Sequence, residues 1–157
     1  MTQVFIHGLE SSSQGDKGVY FRTRYPDMII GDYIGSLKER MQTLYSRLEG
    51  KTDLILVGSS YGGLMAALFA CQQEARVRKL ILLAPALSLP DFVPYLSRRL
   101  PVPTALFHGS EDDVVPPEPV RLIAETVFLN LSYFRVIDDH SLHGTFSTMD
   151  WDSLLEI

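Results

Sequence analysis

The sequence predicts an α/β fold in which about six parallel strands form one sheet with helices on both faces. Three observations lead there. Short apolar runs recur at Val4–His7, Met28–Ile30, Leu54–Val57, Leu80–Leu83, Thr104–Phe107 and Tyr133–Ile137. They are nearly continuous rather than alternating, which is how a strand buried on both faces reads. Longer segments with helical spacing lie between them, and such alternation needs right-handed crossovers between parallel strands. Those crossovers bring the carboxyl ends of the strands to one edge, where ligands bind.

The helical segments follow in order. Ser36 to Glu49 opens on a Ser N-cap with Glu39 three positions on, the pattern of a capping box. Its apolar residues Leu37, Met41, Leu44, Tyr45 and Leu48 share one face, and Gly50 ends it. Tyr61 to Ala75 is apolar almost all round through Ala70, which predicts a central, buried helix. Pro117 to Phe128 begins with prolines and Glu118, residues suited to a first turn. Thr148 to Leu155 predicts a short closing helix.

No repeat, low-complexity tract or linker appears, so residues 1–157 read as one domain. The net charge of -5 disfavours nucleic acid as a partner, since phosphate binding needs a clustered basic excess. Cys71 is the lone cysteine, which fits a reducing, cytoplasmic setting; it falls among Leu68, Phe69 and Ala70 and reads as a small core residue. The opening residues have no basic, apolar leader pattern and read as a first strand. No apolar stretch reaches membrane-spanning length.

The chemistry is concentrated in Leu54-Ile55-Leu56-Val57-Gly58-Ser59-Ser60-Tyr61-Gly62-Gly63, a strand entering a helix through G-x-S-x-G. Such a turn presents the central hydroxyl above the sheet edge, and here only Ser60 is flanked symmetrically by Gly58 and Gly62. A serine hydroxyl needs a base to take its proton. His140, just after the last predicted strand, is the expected base, with His143 as the alternative; His7 and His108 sit at strand ends and read as structural. The orienting carboxylate should follow the preceding strand, where Asp112 and Asp113 compete; Asp138 and Asp139 abut His140 and suit a turn. The expected oxyanion donors are the backbone amides of Tyr61, at a helix N-terminus, and of Leu9, after His7-Gly8.

His7-Gly8 with Ser11-Ser12-Ser13, the Gly58–Gly63 elbow, the stretch His108-Gly109-Ser110-Glu111-Asp112-Asp113-Val114-Val115-Pro116 and Asp139-His140 together resemble the α/β-hydrolase superfamily. In particular they are similar to its small, lid-poor YqiA-like esterases. The resemblance covers nearly the whole chain and implies a minimal α/β-hydrolase fold without a large lid. It selects Asp112 over Asp113, through the family spacing H-G-x-x-D-x-x-V-P, and supports Leu9 as an oxyanion donor. Two departures stand out: the two strands that usually precede the His-Gly strand are missing, and the usual Gly before the base is absent, which keeps His143 open. Leu87 to Pro103 is the only stretch available for a lid and is expected to form a small apolar flap over the site, with an ordinary packed connection as the alternative.

These readings converge on a serine hydrolase acting on a small-molecule ester or thioester through an acyl-Ser60 intermediate. Nothing in the sequence calls for a metal or cofactor: the histidines lack ligand spacing, and the Gly58 turn lacks the Gly-Lys-Ser/Thr of a phosphate loop. The alternative class is a binding or scaffold protein built on the same fold.

Overall fold

The computed structural model describes residues 1–157 and contains a six-stranded, all-parallel sheet of order β2-β1-β3-β4-β5-β6. The strands are β1 (Thr2–Ile6), β2 (Ile29–Ile30), β3 (Leu54–Ser59), β4 (Val77–Leu83), β5 (Thr104–Gly109) and β6 (Leu131–Val136). The helices are α1 (Asp16–Arg24), α2 (Leu37–Arg47), α3 (Tyr61–Gln72), α4 (Pro117–Val127) and α5 (Trp151–Leu154). All six apolar runs become strands. The strand order reverses at β1, and β1 and β3 lie side by side at the centre of the resulting crevice.

The alternation of side chains along each strand divides the interior into two cores. Val4, Ile6, Leu54, Leu56, Leu80, Leu82 and Leu106 pack on one face against α2, α3 and α4. Phe5, Ile55, Val57, Ile81, Leu83, Ala105 and Phe107 pack on the other face against Phe21 of α1 and Trp151 of α5. Phe21 and Trp151 meet edge to face, with ring centroids 4.8 Å apart. Every residue of α3 from Gly62 to Cys71 is buried, as its unbroken apolar composition requires. Cys71 is among them, and burial pushes its thiol up to about 11, so it is a packing residue.

Three features depart from the sequence reading. The outermost strand β6 is not buried on both faces: it is only partly covered, Phe134 is half-exposed, and Ile137 beyond it is open to solvent. An edge strand has one neighbour and less helix cover, so an apolar run there does not imply burial. Helix α1 has no expected counterpart, because Gly18 weakens its helical pattern and no side chain caps it. Finally, Leu87 to Pro103 does not form a flap. Leu87, Phe92, Leu100 and Val102 sink into the larger core around a 3-10 turn at Pro90–Tyr95, so the segment is a packed connection.

No helix is long and apolar enough to cross a membrane.

The capping box at α2 forms as its sequence predicts. The Ser36 hydroxyl accepts from the Glu39 amide at 3.2 Å while the Glu39 carboxylate accepts from the Ser36 amide at 3.2 Å. Ser36→Ala is expected to lower stability by about 1 kcal/mol, measured by urea unfolding at an unchanged m-value.

Candidate active site

Ser60 joins β3 to α3 with φ 56° and ψ -112°, a left-handed conformation that an L-residue adopts only under constraint. Its neighbours impose the constraint. The Ser60 N–H donates to the Leu83 carbonyl at 2.8 Å, and its carbonyl accepts from Gly63 at 3.0 Å, Leu64 at 3.2 Å and Ala86 at 3.0 Å. The turn is also too tight for side chains on either side. A Cβ on Gly58 would lie 2.3 Å from the Gly62 carbonyl oxygen, and one on Gly62 would lie 2.1 Å from that of Ile6. The two glycines thus let β1, β3 and α3 approach, and the bend lifts the Ser60 hydroxyl to the carboxyl edge of the sheet.

His140 lies on the loop after β6. This loop is braced by Asp138, whose carboxylate accepts from the amides of Asp139 (2.8 Å), Gly144 (3.0 Å) and Thr145 (2.8 Å). Buried Leu142, at φ 55°, completes the turn. It is anchored from α1 as well, where the Lys17 ammonium donates to the Ser141 carbonyl at 2.7 Å and lies 5.3 Å over the Phe146 ring. Burial holds the Lys17 amine below its ordinary range.

Three of the expected side chains come together. His140 Nδ1 is 2.7 Å from Asp112 Oδ2, and His140 Nε2 is 3.0 Å from Ser60 Oγ. Since a carboxylate only accepts, Nδ1 carries the hydrogen, and Nε2 is left to accept the Ser60 hydroxyl. The Asp112 side chain is fully buried, and its Oδ1 accepts from the amides of Val114 (2.9 Å) and Val115 (2.8 Å). Asp113 faces solvent.

His143 pairs elsewhere. Its Nδ1 lies 2.6 Å from Asp139 Oδ2 on the exposed surface, and that bond raises the His143 pKa and lowers that of Asp139. Asp138 and Asp139 therefore shape the loop. His7 is also structural: its Nδ1–H donates to the Gly8 carbonyl at 2.7 Å and its Nε2 accepts from the Tyr33 amide at 2.9 Å.

A cavity of about 810 Å³ opens over Ser60. Gly8, Leu9, Tyr61 and His140 border it, and its apolar wall includes Phe5, Tyr20, Leu89, Leu142 and Phe146. The Leu9 N–H donates to no backbone carbonyl, and Tyr61 opens α3, where the first amides of a helix have no partner within it. Leu89 is the part of the Leu87–Pro103 connection that reaches the cavity. Lys17, Tyr20 and Phe146 escaped the sequence reading. Lys17 and Tyr20 ride on the unexpected helix α1, and the apolar character of Phe146 could have flagged it only as core.

The Asp139–His143 pair has a definite pH signature. The raised His143 pKa contributes stability that is fully present below about 6.5 and lost as pH rises through the folded value. The lowered Asp139 pKa contributes stability present above about 3.8 and lost as pH falls through its folded value. Asp139→Asn is therefore expected to lower Tm more at about pH 5 than at about pH 9, as read by thermal melts at both values.

A family model described as "Serine aminopeptidase, S33" matches residues 28–101, a span that includes Ser60 but ends before Asp112 and His140. Curated proteins give no match. Solved structures do. A predicted CIB-like hydrolase from Thermoplasma acidophilum aligns with a TM-score of 0.79 at 21% identity, covering 99% of this chain and 86% of that one. Paleococcus ferrophilus monoacylglycerol lipase aligns with a TM-score of 0.75 at 16% identity, covering 98% and 93%. Est1E from Butyrivibrio proteoclasticus, solved with ferulic acid bound, aligns with a TM-score of 0.76 at 16% identity, covering 99% and 86%. Together with the parallel sheet, these likenesses show that the chain has the α/β-hydrolase fold.

Proposed function

We propose that this protein is a serine acyl hydrolase that cleaves a small-molecule carboxylic ester or thioester. The observation that carries the reading is the continuous chain Ser60 Oγ, His140 Nε2, His140 Nδ1, Asp112 Oδ2, with links of 3.0 Å and 2.7 Å. Ser60 is the nucleophile, His140 the general base and then acid, and Asp112 the residue that orients the imidazole.

In the first half-reaction the Ser60 oxygen bonds to the acyl carbonyl carbon as His140 Nε2 takes the hydroxyl proton. The oxygen of the tetrahedral intermediate takes on negative charge, and the amides of Leu9 and Tyr61 are the donors assigned to receive it. One such donor is typically worth about 3 kcal/mol of barrier. Collapse breaks the bond to the alcohol or thiol, which leaves with the proton from His140. Water then repeats the sequence on the acyl-Ser60 ester, with its proton passing to His140 and on to Ser60. The acid is released and the serine regenerated. Asp112 stays ionised throughout and stabilises the imidazolium.

Several observations favour this class. The cavity volume lies within the range of small-molecule sites, and an apolar wall meets polar residues that include Ser60, His140, Glu10 and Lys17. The lipase and the esterase among the structural likenesses favour ester chemistry. The matched family model carries an aminopeptidase description, so amide cleavage is the competing specificity. A buried thiol at Cys71 suits a reducing, cytoplasmic setting.

The test uses p-nitrophenyl acetate and butyrate, acyl thioesters of graded length and an aminoacyl p-nitroanilide. Turnover of the esters is expected, with labelling of Ser60 by a fluorophosphonate. Ser60→Ala should lower kcat by about 10⁴-fold or more with an unchanged melting curve. A wild-type protein that neither turns over these substrates nor takes the label overturns the proposal.

A further inference from the structure

His108 lies at the end of β5, wholly buried, four residues before Asp112. The sequence presents it as a structural histidine of a His-Gly pair. Its contacts point to a more specific duty. His108 Nε2 is directed at the Val115 carbonyl at 3.0 Å, and Asp112 Oδ2 lies 3.2 Å from the same nitrogen, off that line. Both neighbours are acceptors, so Nε2 must carry the hydrogen.

The other ring nitrogen, Nδ1, is buried with no partner. A proton there would create an unsatisfied buried donor and a buried cation, each costly. His108 is therefore a neutral imidazole protonated at Nε2. Burial holding it below the ordinary histidine range agrees with this. The ionisable groups bearing on it are Asp112, on its own loop, and His140, from the loop after β6.

This arrangement closes a ring of contacts around the carboxylate. His108 holds the Val115 carbonyl, the Val115 and Val114 amides hold Asp112 Oδ1, and His140 and His108 both face Oδ2. A carboxylate offers about four lone-pair directions; three hydrogen bonds reach this one, and the His108 Nε2–H lies beside Oδ2 while bonding Val115. It cannot turn without losing at least one of them.

We propose that His108 is a positioning residue for the reaction: as a neutral Nε2–H donor it fixes the Asp112–Val115 turn, and with it the orientation of Asp112 toward His140. The inference rests on the hydrolase reading of Ser60, and its role is exerted through Asp112 without contact with substrate. His108→Leu removes the donor at nearly constant volume, whereas His108→Gln retains an N–H near the position of Nε2.

The experiment measures kcat and KM for p-nitrophenyl butyrate across pH, together with the low-field NMR resonance of the His140 Nδ1–H. His108→Leu is expected to lower kcat by about 10- to 100-fold with KM little changed. It should also move the acid limb of the kcat/KM profile to higher pH, because Asp112, without the His108 N–H beside Oδ2, holds the protonated His140 more strongly. The His140 resonance should shift or vanish, and His108→Gln should restore rate, profile and resonance. Folded His108→Leu protein with wild-type kcat and an unmoved resonance overturns the proposal, as does equal impairment of the Leu and Gln variants. If His108→Leu does not fold, His108→Asn replaces it, since its shorter amide ends short of Val115; equal rates for Asn and Gln then overturn the proposal. The NMR arm is independent of turnover, so a wild type without esterase activity sinks the hydrolase reading while the positioning claim is still decided.

Discussion

The backbone of Ser60 holds the left-handed conformation on which the site is built. A non-glycine residue there costs about 1–3 kcal/mol, and the surroundings must fix it to keep it. Four hydrogen bonds do so, one donated to Leu83 and three accepted from Gly63, Leu64 and Ala86. The bend also demands bare backbone at Gly58 and Gly62, because the Ile6 and Gly62 carbonyls occupy the space of any Cβ. Relaxing that strain would require separating β1, β3 and α3, whose packing is the centre of the larger core. Stability of the core and presentation of the Ser60 hydroxyl are thus one constraint.

The remaining parts arrive from loops on the same edge of the sheet. Parallel strands make this possible, since β1, β3, β5 and β6 all end beside one another. The β5 and β6 loops are tied directly: Ser110 donates to the Val136 carbonyl at 2.7 Å and Glu111 to the Asp138 carbonyl at 3.0 Å. Asp112 and His140 therefore meet as two ends of a braced pair of turns. Lys17 adds a brace from α1 through Ser141. The buried, neutral His108 completes the frame from beneath.

Electrostatics and exposure separate the two histidine–carboxylate pairs of this region. Asp112 is enclosed and His140 faces the cavity, whereas Asp139 and His143 lie open to solvent. Screening makes an exposed pair weak and tolerant of change. A pair inside the protein has few alternative partners, so its geometry is held. The same two residue types thus support the proposed chemistry in one place and a loop turn in the other.

Much of the fold was legible in the sequence because burial on both faces leaves a local mark. The runs in β1, β3, β4 and β5, the all-apolar α3 and the Ser36–Glu39 capping box each express a near-neighbour rule, and the G-x-S-x-G spacing marks the bend. Helix α1 left no such mark, since its glycine, missing cap and mixed composition give no clear period; its Phe21 joins the core through Phe5, Phe146 and Trp151, which are remote in the chain. The Leu87–Pro103 segment misled because apolar residues bound for the core and apolar residues covering a site look alike in sequence. The sequence favoured His140 over His143 from its place after the last strand, but which imidazole meets Asp112, and what surrounds His108, is visible only in the tertiary structure. Which imidazole meets Asp112 depends on how the loops after β5 and β6 are bound together, and contacts between positions so far apart follow no sequence period.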